Sequence, residues 1–184
     1  VVAVLAVAVP RPADAEVAGT GLDLSVSRTW NSYGQHRYDL GRGWMFDYGR
    51  RVGLERWSDD TRGDSYRFAG PTGYAVLFQR KSDGSFRSPP TLDATLVQHV
   101  DGTFTLTWDK TKEELRFDDR GWLTQQRDRN GNAISYAFTS IGDLDTITDT
   151  QGREVDFDQN GSEQIVGMED SSGRDFDYDI DSNG

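Results

Sequence analysis

The 184-residue sequence contains no cysteine, which excludes a disulfide framework and a thiolate metal site. It contains two histidines, His36 and His99, and neither stands beside a nucleophile motif, so no catalytic triad can be assembled. Proline is scarce, at five residues, and two of these form the pair Pro89-Pro90, which forbids regular pairing there. Apolar runs are short. The longest covers residues 1–9, too few to span a bilayer, so no membrane span is expected in this stretch of chain. Positive charge is also scarce in one region. The net charge is −11; residues 140–184 hold 13 Asp and Glu against 2 Arg, which is −11, leaving 18 against 18 in residues 1–139. All the excess acid therefore lies at the C-terminal end, the wrong sign for phosphate, and no nucleic-acid partner is expected.

What is present is a stride. Leu123, Leu144 and Ile165 share one register of a 21-residue period; Asp128, Asp149 and Asp170 a second; Gly131, Gly152 and Gly173 a third; Ile134, Val155 and Phe176 a fourth; Tyr136, Phe157 and Tyr178 a fifth. A fixed period of this size marks a repeat architecture in which each unit stacks on the next. Asp128-Arg129-Asn130-Gly131, Asp149-Thr150-Gln151-Gly152 and Asp170-Ser171-Ser172-Gly173 place Asp first and Gly fourth, the preference of a type I turn whose Asp bonds its own backbone. Further reversals are expected at Asp118 to Gly121, Thr139 to Gly142, Asp158 to Gly161 and Asp181 to Gly184. The segments between reversals have strand length and leave no room for a useful helix. Within them apolar residues alternate with polar ones, as in Ile134-Ser135-Tyr136-Ala137-Phe138. The expected fold is all-β: an antiparallel meander of hairpins, two strands per 21-residue unit, with the apolar face of a curling sheet covered by something.

Taken in order, residues 1–20 form an apolar segment and lead-in, for which two readings stand. One is the tail of a secretory signal ending at Ala13-Asp14-Ala15; the other is a buried first strand. Leu22 to Ser32 alternates as a half-buried strand, with Leu22, Leu24 and Val26 on one face, and Leu40 to Tyr48 and Arg51 to Trp57 suggest two more. Trp30, Tyr33, Tyr38, Trp44 and Tyr48 interleave with Arg28, Arg37, Arg42, Arg50 and Arg51. Such a mixture could stack on sugars or bases, which makes Trp30 and Trp44 candidate ligand-facing aromatics; the plainer reading is an aromatic core whose arginines pair nearby acids. A degenerate copy of the unit sits at Asp60 to Phe68, and another runs from Phe104 through Asp109 to Phe117 with Lys112 in the glycine register. Residues 21–103 thus form an N-terminal module and 104–184 the repeats. A start at Val1 and a stop on the last residue of a turn suggest a piece of a longer repeat protein.

Gly21-Leu22-Asp23-Leu24-Ser25-Val26-Ser27-Arg28-Thr29-Trp30-Asn31-Ser32, then Leu40-Gly41-Arg42-Gly43-Trp44, then units such as Gly121-Trp122-Leu123 with Asp128-Arg129-Asn130-Gly131-Asn132 and Tyr136, together resemble the Rhs or YD-repeat family over about residues 10–184. That family usually shows Tyr where this chain has Trp30. The Tyr-Asp pair survives as Tyr178-Asp179 and, with Phe, as Phe157-Asp158, whereas Tyr136 is followed by Ala137. Asp14 and Val17-Ala18-Gly19 resemble the extended segment that precedes the first strand in the family, which favours the strand reading of the lead-in. The resemblance implies a strip of hairpins spiralling into a hollow β-cage. Such cages enclose a C-terminal toxic or variable domain in bacterial polymorphic toxins and wall-associated proteins, which are secreted or cell-surface; a similar shell supports adhesion in animal teneurins. The family's self-cleavage residues lie beyond the repeats, and none matches a position here.

The expected function is therefore a structural, non-catalytic shell segment. Its partners would be the rest of its own shell and an enclosed C-terminal effector domain. The alternative is an extracellular module binding cell-surface glycans through the aromatics of residues 30–48. No cofactor is expected. The Asp128, Asp149 and Asp170 ladder invites calcium, but each Asp has a backbone task and no calcium-loop pattern appears, so no metal is expected. Asp59-Asp60 and Asp118-Asp119 do not suit a glycosidase, because neighbours on a strand point to opposite faces.

Overall fold

A computed structural model describes residues 8–10, 13–32, 37–38, 40–48, 52–59, 63–70 and 73–180. The first part of the chain forms β1 (Ala8–Pro10), β2 (Ala15–Val17), β3 (Leu24–Val26), β4 (Arg28–Asn31), β5 (Arg37–Tyr38), β6 (Gly41–Arg42), β7 (Trp44–Phe46), β8 (Gly53–Asp59), β9 (Gly63–Ala69), β10 (Ala75–Arg80) and β11 (Phe86–Arg87). The second part forms β12 (Ala94–Gln98), β13 (Phe104–Trp108), β14 (Glu114–Phe117), β15 (Leu123–Arg127), β16 (Ala133–Phe138), β17 (Leu144–Thr148), β18 (Glu154–Gln159), β19 (Ile165–Asp170) and β20 (Asp175–Asp177). No helix occurs among the described residues.

β12 to β20 are hydrogen-bonded in sequence order as one nine-stranded antiparallel meander, two strands per unit, as the stride requires. β8 to β11 form a four-stranded sheet, also in sequence order, and β1, β4 and β7 form a three-stranded one. Alternation sends one side of each meander strand inward. Leu123, Leu144 and Ile165 are buried, as are Ile134, Val155, Tyr136 and Phe157, whereas Phe176 and Tyr178 on the last strand are half-buried. A second 21-residue rhythm has no signature in residue type. The pairing slips by one residue between Arg116 and Phe117, between Ala137 and Phe138, and between Asp158 and Gln159. Each bulge adds local twist to the same strand of successive units and so curls the sheet.

The apolar face of the meander is covered from within the chain. Aromatic rings of the N-terminal strands meet it in pairs: Tyr66 with Phe104 at 4.6 Å, Phe68 with Phe117 at 6.1 Å, Tyr48 with Tyr136 at 4.9 Å and Phe46 with Phe157 at 5.9 Å between centroids. One contiguous apolar core results, running from Ala15 to Met168. Each such ring pair adds about 0.5–1.5 kcal/mol beyond the area it buries.

Four local expectations are corrected. The stretch Leu22 to Ser32 is two strands, not one: at Ser27, whose carbonyl accepts the Asp47 N–H at 3.1 Å, the chain changes partners, β3 pairing with β2 and β4 with β1 and β7. Leu40 to Tyr48 likewise breaks at Gly43, which turns with φ +78° between β6 and β7. The reversal expected at Asp158 to Gly161 lies two residues later. β18 extends through Gln159, Asn160 Oδ1 accepts the N–H groups of Ser162 and Gln164, and Glu163 takes the left-handed conformation at φ +60°. The Asx role thus belongs to Asn160. In the earlier copy Lys112 is left-handed at φ +61°, as its glycine register requires, but Asp109 does not cap that loop; its carboxylate accepts the Thr95 hydroxyl of β12. Ala8–Pro10 pairs with Thr29–Asn31. Residues 1–7, the Asp60 to Arg62 part of the degenerate copy and the reversal at Asp181 to Gly184 lie outside the described residues.

Candidate functional surface: the seam between lead-in and repeat ladder

The turn residues set the chemistry of one edge of the meander. At Asp128, Asp149 and Asp170 the backbone carbonyl accepts the N–H of Gly131, Gly152 and Gly173 at 3.1, 3.1 and 2.8 Å, closing a type I turn with the glycine in the left-handed region. Each Asp Oδ1 then accepts two more N–H groups, two and four residues on, at 2.8–3.1 Å. The second oxygen takes a side chain: Asn132 Nδ2 at 2.7 Å in the first unit, Arg153 Nε at 2.7 Å in the second and Arg174 Nε at 2.6 Å in the third. Asp149 and Asp170 are only 4 % and 5 % exposed, so these bonds take the place of water. Burial pushes the Asp149 carboxyl up, but the backbone and guanidinium donors of Arg153 outweigh it and hold the group below the usual carboxylate range. The Ser172 hydroxyl, with Arg174 and the backbone N–H groups, holds Asp170 well below that range.

Across this ladder runs the lead-in segment, in the opposite direction to the repeats. A Cβ on Gly21 would lie 2.2 Å from Asn132 Nδ2 and 2.5 Å from Asp128 Oδ2, so the chain passes hard against the first turn. Thr20 N–H donates to Thr150 Oγ1 at 2.9 Å, Gln151 Nε2 donates to Thr20 Oγ1 at 3.2 Å, and the Arg153 guanidinium donates to the Ala18 carbonyl; these are the second turn. Asp14 reaches the third unit, accepting the Tyr178 hydroxyl at 3.2 Å.

A second crossing runs parallel to the first, on the aromatic register. Tyr48 packs tilted against Tyr136, and Phe46 meets both Phe157 and Tyr178 edge to face, the latter at 5.8 Å. Tyr136 donates its hydroxyl to Gln126 Oε1 at 3.2 Å, and Gln126 in turn donates to Glu113. Burial first, then the charge of Asp47, pushes the Tyr48 hydroxyl up to about 12, and burial alone raises the neighbouring Asp47 carboxyl to about 6. At the end of the seam Arg28 Nη2 donates to Asp14 Oδ1 at 2.7 Å, with the guanidinium carbon 5.1 Å from the Tyr178 ring centroid and 5.8 Å from that of Trp44. Burial and the Asp14 charge raise the Tyr178 hydroxyl beyond its ordinary value.

The two aromatics singled out in the sequence stand directly opposite each other in the β4–β7 pair. Trp30 is 36 % exposed; Trp44 is half-buried and lines a hollow of about 580 Å³ together with Asp14, Arg28, Leu40 and residues 176–180. His99 bonds Thr105 Oγ1 at 2.8 Å; His36 is outside the described residues. Among the described residues no group of three or more His, Cys, Asp or Glu could hold a metal ion. The seam itself went unread in the sequence. Its one available signal was Gly19-Thr20-Gly21, two residues without side chains flanking a hydroxyl, which is how a strap passes close to another backbone. Compared with known proteins, the chain matches no family model and no curated protein.

Proposed function

We propose that this chain is a structural segment of a repeat shell of the kind the Rhs or YD-repeat resemblance implies, one that walls off or presents a C-terminal effector domain and catalyses nothing itself. The observation that carries the reading is the double crossing: one strap and one strand each engage successive units of a curled meander, in register, through side chains committed to holding units together. Asp128, Asp149 and Asp170 each engage both carboxylate oxygens, on the backbone and on Asn132, Arg153, Ser172 or Arg174, which makes the ladder a mechanical rather than a chemical edge. The reading places the protein outside the cell or at its surface, with the remainder of its shell and the enclosed domain as partners. Its test is limited proteolysis with electron microscopy on the full-length gene product. A hollow particle whose C-terminal domain resists protease until the shell is unfolded is expected; a C-terminal domain cut as fast as when isolated refutes the reading.

A second reading, binding of cell-surface glycans, is favoured by the Trp30–Trp44 cross-strand pair beside a hollow that also holds Arg28 and Asp14. A glycan array with the wild type and Trp44→Ala separates the two, since specific binding lost on substitution supports the second alone.

A further inference from the structure

The turn that meets the four-stranded sheet departs from its own repeat. Four reversals on the same edge of the meander, at His99 to Gly102, Asp118 to Gly121, Thr139 to Gly142 and Asn160 to Glu163, each put the N–H of the fourth residue on the carbonyl of the first. Their third and fifth positions read Asp101 and Thr103, Arg120 and Trp122, Ile141 and Asp143, Ser162 and Gln164. Closing the turn therefore demands neither an arginine nor an indole. That pair stands at the reversal bonded to β8, through the Leu54 N–H to the Gly121 carbonyl and the Gly53–Trp122 bridge.

Beside that junction lies a hollow of about 290 Å³, at the small end of ligand sites, walled by Glu55, Arg56 and Arg67 from the sheet and Arg120 and Trp122 from the turn. Of the charged described residues that line it, three are arginine and one is glutamate, in a chain of net charge −11. Asp64, which pairs Arg56 at 3.0 Å, and Asp118, which pairs Arg120 at 2.7 Å, stand outside the lining. Arg120 is fixed in advance: Asp118 Oδ2 takes its Nε and Nη2 N–H groups, two of five donors, and its guanidinium carbon lies 3.5 Å from the Trp122 ring centroid, with the indole packed on Phe138 at 5.5 Å. A cation so held loses little freedom on binding an anion. Arg67 meets Glu55 at 3.3 Å in an exposed pair, which contributes little and yields readily to a ligand. The hollow at the second and third ladder turns has the opposite sign: Glu154, Asp156, Glu169 and Asp170 line it, and its Arg153 is committed to Asp149.

We infer that the hollow beside the Gly53–Trp122 bridge binds a small hydroxy-dicarboxylate, with one carboxylate on Arg120, the other on Arg56 and Arg67, and the hydroxyl donating to Glu55. Guanidinium forks match planar carboxylates. Glu55 would repel a bare phosphate or sulfate, whereas a ligand hydroxyl requires such an acceptor. Because its two ends sit on the sheet and on the turn, the ligand bridges the junction between β8 and the meander. The inference stands on this hollow and depends neither on the shell reading nor on the Trp30–Trp44 reading.

The test titrates malate, succinate, phosphate and acetate against the whole chain by calorimetry at constant ionic strength, and follows hydrogen exchange at Leu54. Malate should bind with a Kd below about 1 mM, succinate and phosphate about fivefold or more weakly, and acetate more weakly still. Bound malate should slow exchange of the Leu54 amide, which crosses the junction. Arg67→Gln and Arg120→Gln, on separate walls, should each weaken malate about tenfold or more, and Glu55→Ala should bring malate and succinate within about twofold of each other. Trp44→Ala should leave malate binding unchanged, and an unchanged circular dichroism spectrum shows the variants folded. Equal affinity for all four anions, no saturation by malate below about 10 mM, malate binding that survives both arginine substitutions or falls with Trp44→Ala, or a Leu54 amide indifferent to malate would each overturn the inference.

Discussion

Replacing Gly152 and Gly121 by alanine, one at a time, separates backbone strain from close packing at two turns of the same kind. Gly152 has φ +81°, and a Cβ built on it meets nothing within 4 Å. Its substitution therefore costs only the left-handed conformation of an L-residue, about 1–2 kcal/mol. Gly121 has φ +88° and carries the same strain, but its Cβ would lie 1.9 Å from the Leu54 carbonyl oxygen and 2.9 Å from the carbonyl carbon. Neither backbone can yield without parting β8 from the turn. Parting them breaks the Leu54 N–H to Gly121 C=O bond of 2.8 Å and the Gly53–Trp122 bridge. A buried amide that loses its acceptor adds about 1–3 kcal/mol, so Gly121→Ala should cost about 2–5 kcal/mol in total. For a chain of this length 1 kcal/mol is about 2–4 °C in Tm. Urea unfolding gives both differences, and hydrogen exchange at Leu54 reports the local event. A Gly121→Ala variant no less stable than Gly152→Ala, or one in which the Leu54 amide keeps its protection, refutes the argument that the four-stranded sheet is pinned to the meander at this turn.

Asp149→Ala strands the N–H groups of Gln151 and Arg153 and frees the Arg153 guanidinium from its partner, a loss of about 2–4 kcal/mol by chemical denaturation; Asp149→Asn keeps an acceptor and should lose about half as much. Tyr178→Phe removes the hydroxyl that reaches Asp14 and should cost about 0.5–1.5 kcal/mol, with faster proteolysis of the lead-in and no change at Tyr136. The Asp47 carboxyl, at about 6 when folded against 3.8 ordinarily, stabilises the fold in its protonated form; that contribution is complete below pH 4 and lost as pH rises through 6. Asp47→Asn should therefore gain on the wild type between pH 4 and 7 and run parallel to it above, and parallel curves across the whole range would show the carboxyl to be solvated. Asp149 and Asp170 act in the opposite sense: their folded values are lowered, so their contribution is present above about pH 4 and lost as pH falls below it, and Asp170→Asn should flatten the acid limb.

How much was legible follows from where each determinant resides. The type I turns needed only four consecutive residues, Asp first and Gly fourth, and the strands between them needed only alternation; both are local, and the meander from β12 to β20 follows from their metre. The inward registers of Leu123, Ile134 and Tyr136 are period-two facts of the same kind. Where two short signals competed, locality failed. Asp158 and Asn160 both suit a turn start, and the choice fell to Asn160 because the bulge at Asp158/Gln159 lets β18 run on beside β19. The split at Ser27 had no local cause at all, since its carbonyl answers to Asp47, twenty residues away.

The amino-acid order alone determined the stride, the reversals, the two faces of each strand and the placement of excess acid at one end, because each depends on neighbours within one unit. Only the tertiary structure decided what covers the apolar face, that Asp14 to Gly21 straps three units together, and that Trp30 and Trp44 stand side by side. The strap contacts join residues more than a hundred positions apart, and no rule of spacing reports which aromatic ring will meet which once a sheet has twisted and curled.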